Sequence, residues 1–139
     1  MPGARAAPPP ARRVLVVEDD APLADLWAQV LTAAGYAVRV LGSALGVAGL
    51  LRTWRPDVVR LDLGLPYRSG AALLAELKAA PATAAVPVVV VSAAPETLPP
   101  ERAALAAAVL GKPLDLRRLC AVVRAADAGG STALPPRRT

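Results

Sequence analysis

A chain of 139 residues, 55% of them apolar, is long enough to bury one core unaided, and its single cysteine excludes an internal disulfide framework. The formal charge of +5 comes mostly from the ends, since 11 basic and 10 acidic side chains lie between Val14 and Ala126. Histidine is absent, which removes the Ser-His-Asp triad, most zinc sites and the usual general base, so proton or phosphoryl traffic must use carboxylates, hydroxyls, lysine or a partner's histidine.

Residues 1–12 are rich in Pro, Ala and Arg and are expected to be disordered, as are residues 128–139 (AGGSTALPPRRT), leaving residues 13–127 as one domain. Val14–Val17 is the first predicted strand. Leu23, Leu26, Trp27, Val30, Leu31 and Ala34 then recur at helical spacing, with Asp20 as N-cap, Pro22 in the first turn and Gly35 as the stop. Tyr36–Leu41 is a second strand, and Ser43 caps a helix running to Trp54 that Gly46 and Gly49 weaken. Val58–Asp62 is the third strand and Gly70–Ala79 the third helix. Pro87–Val91 is a fourth, β-branched strand, and Val109–Leu110 ends a fifth. The alanine-rich stretch ETLPPERAALAAA between them is expected to hold a helix, and Leu116, Leu119, Cys120 and Val123 line the inner stripe of a last one.

Five short apolar strands alternating with helices predict an α/β fold, a doubly wound parallel sheet of flavodoxin-like order 2-1-3-4-5 with helices on both faces. No apolar run approaches a membrane span, and the start MPGARAAPPPARR lacks the apolar centre of a signal peptide, so a cytoplasmic protein is expected. With no basic stripe or stacking aromatics in the core, the basic tails are read as solubilising rather than nucleic-acid-binding.

Such folds bind ligands beyond the carboxyl ends of their strands. Those ends carry Glu18-Asp19-Asp20, Asp62 followed by Gly64, Ser92, and Lys112-Pro113. Neighbouring first and third strands would bring Glu18, Asp19 and Asp62 into one crevice. Crowded carboxylates repel unless a cation neutralises them, and an all-oxygen cluster suits Mg²⁺ first and Mn²⁺ second. An acidic nucleophile, a metal and a lysine are equipment for phosphoryl transfer. The plainer readings are that Glu18-Asp19-Asp20 is a helix-capping turn and that Ser92 caps the segment after it.

The strings VLVVEDD, LDLGLPYRSG, PVVVVSA and GKP, in this order, resemble the receiver domain of two-component response regulators over about residues 13–126. The resemblance implies that Asp62 accepts the phosphoryl group, that Glu18 and Asp19 hold Mg²⁺ with Asp62 and the Gly64 backbone carbonyl, that Ser92 is the switch hydroxyl and that Lys112 contacts the phosphate. It implies a cis Lys112–Pro113 peptide, and a phosphohistidine donor on a sensor histidine kinase or phosphotransfer protein. The chain would then not be an enzyme beyond assisting its own phosphorylation and dephosphorylation. It would signal to a separate downstream protein by contact, as a monomer or weak dimer, with no fused DNA-binding domain expected.

Three features depart from the family pattern. Arg60 occupies a central-strand position that is usually apolar, on the face of Asp62 and about 6.6 Å from it along the strand. Its head must reach either the acidic crevice or another exit, and in the first case it would partly replace the metal's charge. Val109 stands where the family usually has an aromatic that turns inward on phosphorylation, and the segment from Ser92 to Lys112 is somewhat short. These departures keep a second reading open, a receiver-fold interaction module with weakened or lost phosphorylation switching. A phosphatase with an aspartyl-phosphate intermediate is disfavoured, because Gly64 occupies the position of its second acid.

Overall fold

The apolar runs of the sequence become the strands of the computed structural model, which describes residues 11–65, 69–113 and 115–128. The strands are β1 (Arg13–Val17), β2 (Ala37–Leu41), β3 (Val58–Asp62), β4 (Val88–Ser92) and β5 (Ala108–Gly111), all parallel, in the order β2-β1-β3-β4-β5. The fold is therefore the expected flavodoxin-like α/β sheet. Every residue of β3 and β4 is buried, and apart from Arg60, Asp62 and Ser92 they are apolar, because strands covered on both faces have no solvent side to mark.

The two-residue period of the strands sorts their side chains onto two cores. Val14, Val16, Val58, Val89 and Val91 pack on α1 (Ala21–Ala33) and α5 (Leu116–Asp127) through Trp27, Leu31, Leu119 and Val123. Leu15, Val17, Val59, Leu61, Val88 and Val90 face α2 (Val47–Thr53) and α3 (Gly70–Ala79) through Leu51, Leu73, Leu74 and Leu77. Fully burying such side chains contributes about 1.5–3 kcal/mol each before conformational entropy is counted.

Asp20 caps α1 by accepting the Leu23 N–H at 3.1 Å, and the chain leaves the helix through Gly35 at φ 103°. Leu26, placed on the inner stripe from its spacing, is 41% exposed, because the buried stripe runs through Ala24, Trp27 and Leu31. In α5 Leu116 is likewise exposed and Cys120 half-buried, the core stripe being Leu119, Val122, Val123 and Ala126.

The second helix is shorter than expected. The Ser43 hydroxyl accepts the Leu45 N–H in a local turn, and Gly46 adopts the left-handed region at φ 85°, so helix begins only at Val47. The helix expected between β4 and β5 is also reduced, to a 3₁₀ turn at Pro95–Thr97 and one α-helical turn, α4 (Pro100–Ala103). A residue preceding proline is driven to extended backbone; Leu98 and Pro99 both obey, at ψ 123° and 145°, and separate the two turns. No helix among the described residues is long and apolar enough to cross a membrane.

The expected tails lie outside the described residues except for residues 11, 12 and 128. Arg12 is held in place. Its Nε donates to Asp127 Oδ1 at 2.8 Å, its Nη1 is 3.4 Å from Asp57, and its carbonyl accepts the Ala37 N–H at 2.8 Å.

Candidate functional site

The carboxyl edge of the sheet gathers the polar strand ends. Glu18 follows β1 directly and its N–H continues the ladder to the Leu41 carbonyl at 3.0 Å, which keeps the side chain 1% exposed. Asp62, the last residue of β3, is 5% exposed, and Asp19 is exposed beside them. One carboxylate oxygen from each of Glu18, Asp19 and Asp62 lies within 4.8 Å of the others. The crevice expected from the strand order is therefore formed.

Lys112 reaches the same place from the end of β5. Its Nζ donates to Asp62 Oδ2 at 3.2 Å and approaches Glu18 Oε1 at 3.5 Å. Its backbone N–H is fixed on the Ser92 carbonyl at 2.8 Å, and the Lys112–Pro113 peptide is cis, as expected. The Gly64 N–H donates to Asp62 Oδ1 at 3.0 Å, so both oxygens of Asp62 have a donor. Burial alone would raise the Asp62 pKa, but the Gly64 hydrogen bond and the Lys112 ammonium outweigh it and hold the carboxyl below its ordinary value. A carboxylate kept ionised is a competent oxygen nucleophile.

Ser92 ends β4 at this edge, opposite Gly111 of β5, and is buried. Its Oγ accepts the Ala94 N–H at 3.0 Å, the local cap left open as its plainer role. Val109 is half-buried on the α3 side of the sheet.

Arg60 resolves to the crevice. Its Cα lies between Val16 and Val89 in the sheet, its side chain is fully buried, and Nη1 donates to Glu18 Oε1 at 2.8 Å. The guanidinium carbon lies over the Trp27 ring, 5.5 Å from its centre. Nε and Nη2 of Arg60, like Trp27 Nε1, have no hydrogen-bond partner among the described residues. Trp27, a core residue of α1, is thus also the apolar floor beneath a buried cation.

Gly70 carries no site signal in the sequence, yet it shapes the site. A Cβ there would stand 2.6 Å from both the Asp62 carbonyl oxygen and Leu63 Cα, so only glycine lets α3 start against the backbone of the phospho-acceptor candidate. The nearest sequence signal is Ser69-Gly70, a cap followed by glycine, which does not announce a close approach.

The donor set fits a hard divalent cation, since the three clustered groups are carboxylates and no histidine or thiol competes. Glu18 and Asp19 from β1, with Asp62 from β3, would hold it.

Fold and edge together define a flavodoxin-like α/β protein with acids gathered at the carboxyl ends of β1 and β3, opposed by a lysine that follows β5. A family model, response regulator receiver domain, matches residues 14–124, and the chain belongs to that family. It is 37% identical over 87 residues to the DNA-binding response regulator MtrA of Mycolicibacterium paratuberculosis, a match covering 63% of this chain and 37% of that protein. Protein Rrf1 of Nitratidesulfovibrio vulgaris is 34% identical over 80 residues, 58% of each chain. Among solved structures, a CheY-like response regulator receiver domain from Methylobacillus flagellatus superposes with a TM-score of 0.76 at 28% identity, covering 84% of this chain and 99% of that one. The receiver domain of the Francisella response regulator 1452 gives 0.77 at 25% identity, covering 85% and 98%. The chain spans little more than a third of the length of its MtrA relatives.

Proposed function

We propose that this receiver domain accepts a phosphoryl group on Asp62 from a phosphohistidine of a sensor histidine kinase or phosphotransfer protein, and passes the signal on by protein–protein contact. The observation that carries the reading is the Lys112 ammonium 3.2 Å from Asp62 Oδ2, with Glu18 and Asp19 gathered on the same carboxylate. In the transfer an Asp62 oxygen attacks phosphorus, the P–N bond to the donor imidazole breaks, and the imidazole leaves with the electron pair. Lys112 balances charge on the phosphoryl oxygens, and the Ser92 hydroxyl, able to rotate from its cap, donates to one of them. Mg²⁺ or Mn²⁺, held by Glu18, Asp19, Asp62 and the Gly64 carbonyl, would supply the remaining positive charge. The domain acts on no other substrate, assisting only its own phosphorylation and dephosphorylation, and it works in the cytoplasm.

Incubation with acetyl phosphate and Mg²⁺ followed by intact mass measurement is the test. One added phosphate is expected, absent in Asp62→Asn and absent when the cation is chelated. An unchanged mass in the wild-type chain would instead support an interaction module without phosphorylation switching. That second reading is favoured by Val109, whose side chain has no ring to swing.

A further inference from the structure

Arg60 is a buried cation that the transfer chemistry does not use, and the sheet leaves it one outlet. Its Cα is fixed between Val16 and Val89, Trp27 covers its guanidinium, and none of its surface meets solvent. A guanidinium buried this deeply is costly unless a carboxylate neutralises it where it stands. Glu18 is the carboxylate paired with it, at 2.8 Å, and the other two guanidinium nitrogens, Nε and Nη2, are left without acceptors among the described residues. Breaking a pair this deeply buried is strongly unfavourable, so Glu18 is not free to turn wholly toward another cation. Its remaining capacity is also in use, since Oε1 is 3.5 Å from Lys112 Nζ and Oε2 accepts the Asp20 N–H at 3.2 Å.

We propose that Arg60 sets the cation affinity of the acidic crevice, acting as an internal counter-charge that shares Glu18 with any divalent metal bound there. This rests on the reading that Glu18, Asp19 and Asp62 form a divalent-cation site. Glu18, Asp19 and Asp62 face Lys112 and Arg60, so the resting crevice carries one net negative charge where an apolar residue at position 60 would leave two. The resting domain accordingly holds metal weakly. Phosphorylation turns one carboxylate into a group of about −2 charge and restores the demand for a cation. Metal occupancy and phosphorylation are thereby tied together more tightly than the acids alone would tie them. A purely structural arginine, satisfied by Glu18 for the sake of folding, would leave metal affinity where it was.

The probe is Mn²⁺ alone, titrated into the unphosphorylated chain and followed by electron paramagnetic resonance, with Trp27 fluorescence as a second signal in a Trp54→Phe background. Arg60→Met is expected to tighten Mn²⁺ binding by about tenfold or more, the size of one unit charge removed from beside a buried carboxylate whose cluster reaches solvent chiefly through Asp19 and Lys112. In a Glu18→Gln background the same substitution should change affinity far less, because the coupling runs through that carboxylate. Should Arg60→Met fail to fold, Arg60→Gln keeps a polar head on a similar stem and is expected to shift affinity the same way. Equal Mn²⁺ affinity in the wild-type and Arg60 variants would overturn the role given to Arg60 and leave the metal site standing. Mn²⁺ uptake by neither would overturn both.

Discussion

Gly70 shows how much of the site is held by a missing side chain. Gly70→Ala forces a methyl to within 2.6 Å of the Asp62 carbonyl oxygen and Leu63 Cα, and backbone on both sides cannot give way as a flexible side chain would. The expected loss is about 1–3 kcal/mol, typical of overpacking, read as a lower urea midpoint, together with slower phosphorylation as Asp62 shifts. A midpoint equal to wild type would show that α3 can retreat from the edge at little cost. Of the individual residues, those at strand ends were legible beforehand, because a parallel sheet presents its chemistry there and Glu18, Asp19, Asp62, Ser92 and Lys112 all fall there. Arg60 was half legible. Strand periodicity put it on the Asp62 face, but whether its head turned to Glu18 or elsewhere depended on what Trp27 closed off. Gly70 was not legible, since its reason is a contact between segments rather than a property of its own neighbourhood.

Among the elements, the strands read correctly because Val-rich runs of this length have few other uses, and α1 because Asp20 and Gly35 punctuate it. The failures share a cause. Ser43 looked like a cap but serves a turn, and Gly46 takes a left-handed conformation that only the assembled chain demands. Between β4 and β5 the alanines have little surface to bury, so Pro99 and Pro100 decide where helix can start, and one α-helical turn results. This turn is tethered by Arg102, whose Nη1 donates to the Ala71 carbonyl at 2.9 Å. Amide exchange across residues 95–106 is expected to be the fastest of any structured segment between β1 and α5, and Arg102→Ala should speed it further without a comparable change in global stability. Protection there equal to that of β3 would mean that this face is as rigid as the sheet.

For the molecule as a whole, the sheet has an acidic edge and an anchoring edge. The carboxyl ends carry the acids and Lys112; the opposite end is fastened by a cluster around Arg12, Arg13, Trp54 and Asp57. Arg13 and Arg39 each place a guanidinium over the Trp54 ring, 5.5 and 5.1 Å from its centre, Arg13 also donates to the Trp54 carbonyl, and the Arg13 N–H donates to Asp57 at 2.8 Å. The charge pattern of the sequence does not foretell this, because Arg12 reads there as part of the basic tail. It instead joins the start of β1 to the end of α5 through Asp127. Fluorophores on cysteines at positions 11 and 128, in a Cys120→Ser background, are expected to transfer energy efficiently and with no change when Asp62 is phosphorylated. Weak transfer would mean that the Arg12–Asp127 link does not persist in solution.

That link also governs how the domain presents itself. It brings residues 11 and 128 to a single corner of the domain, at the end of the sheet opposite Asp62. A label fixed on either of these residues therefore sits at the far end of the sheet from the rim that would meet a phosphate donor.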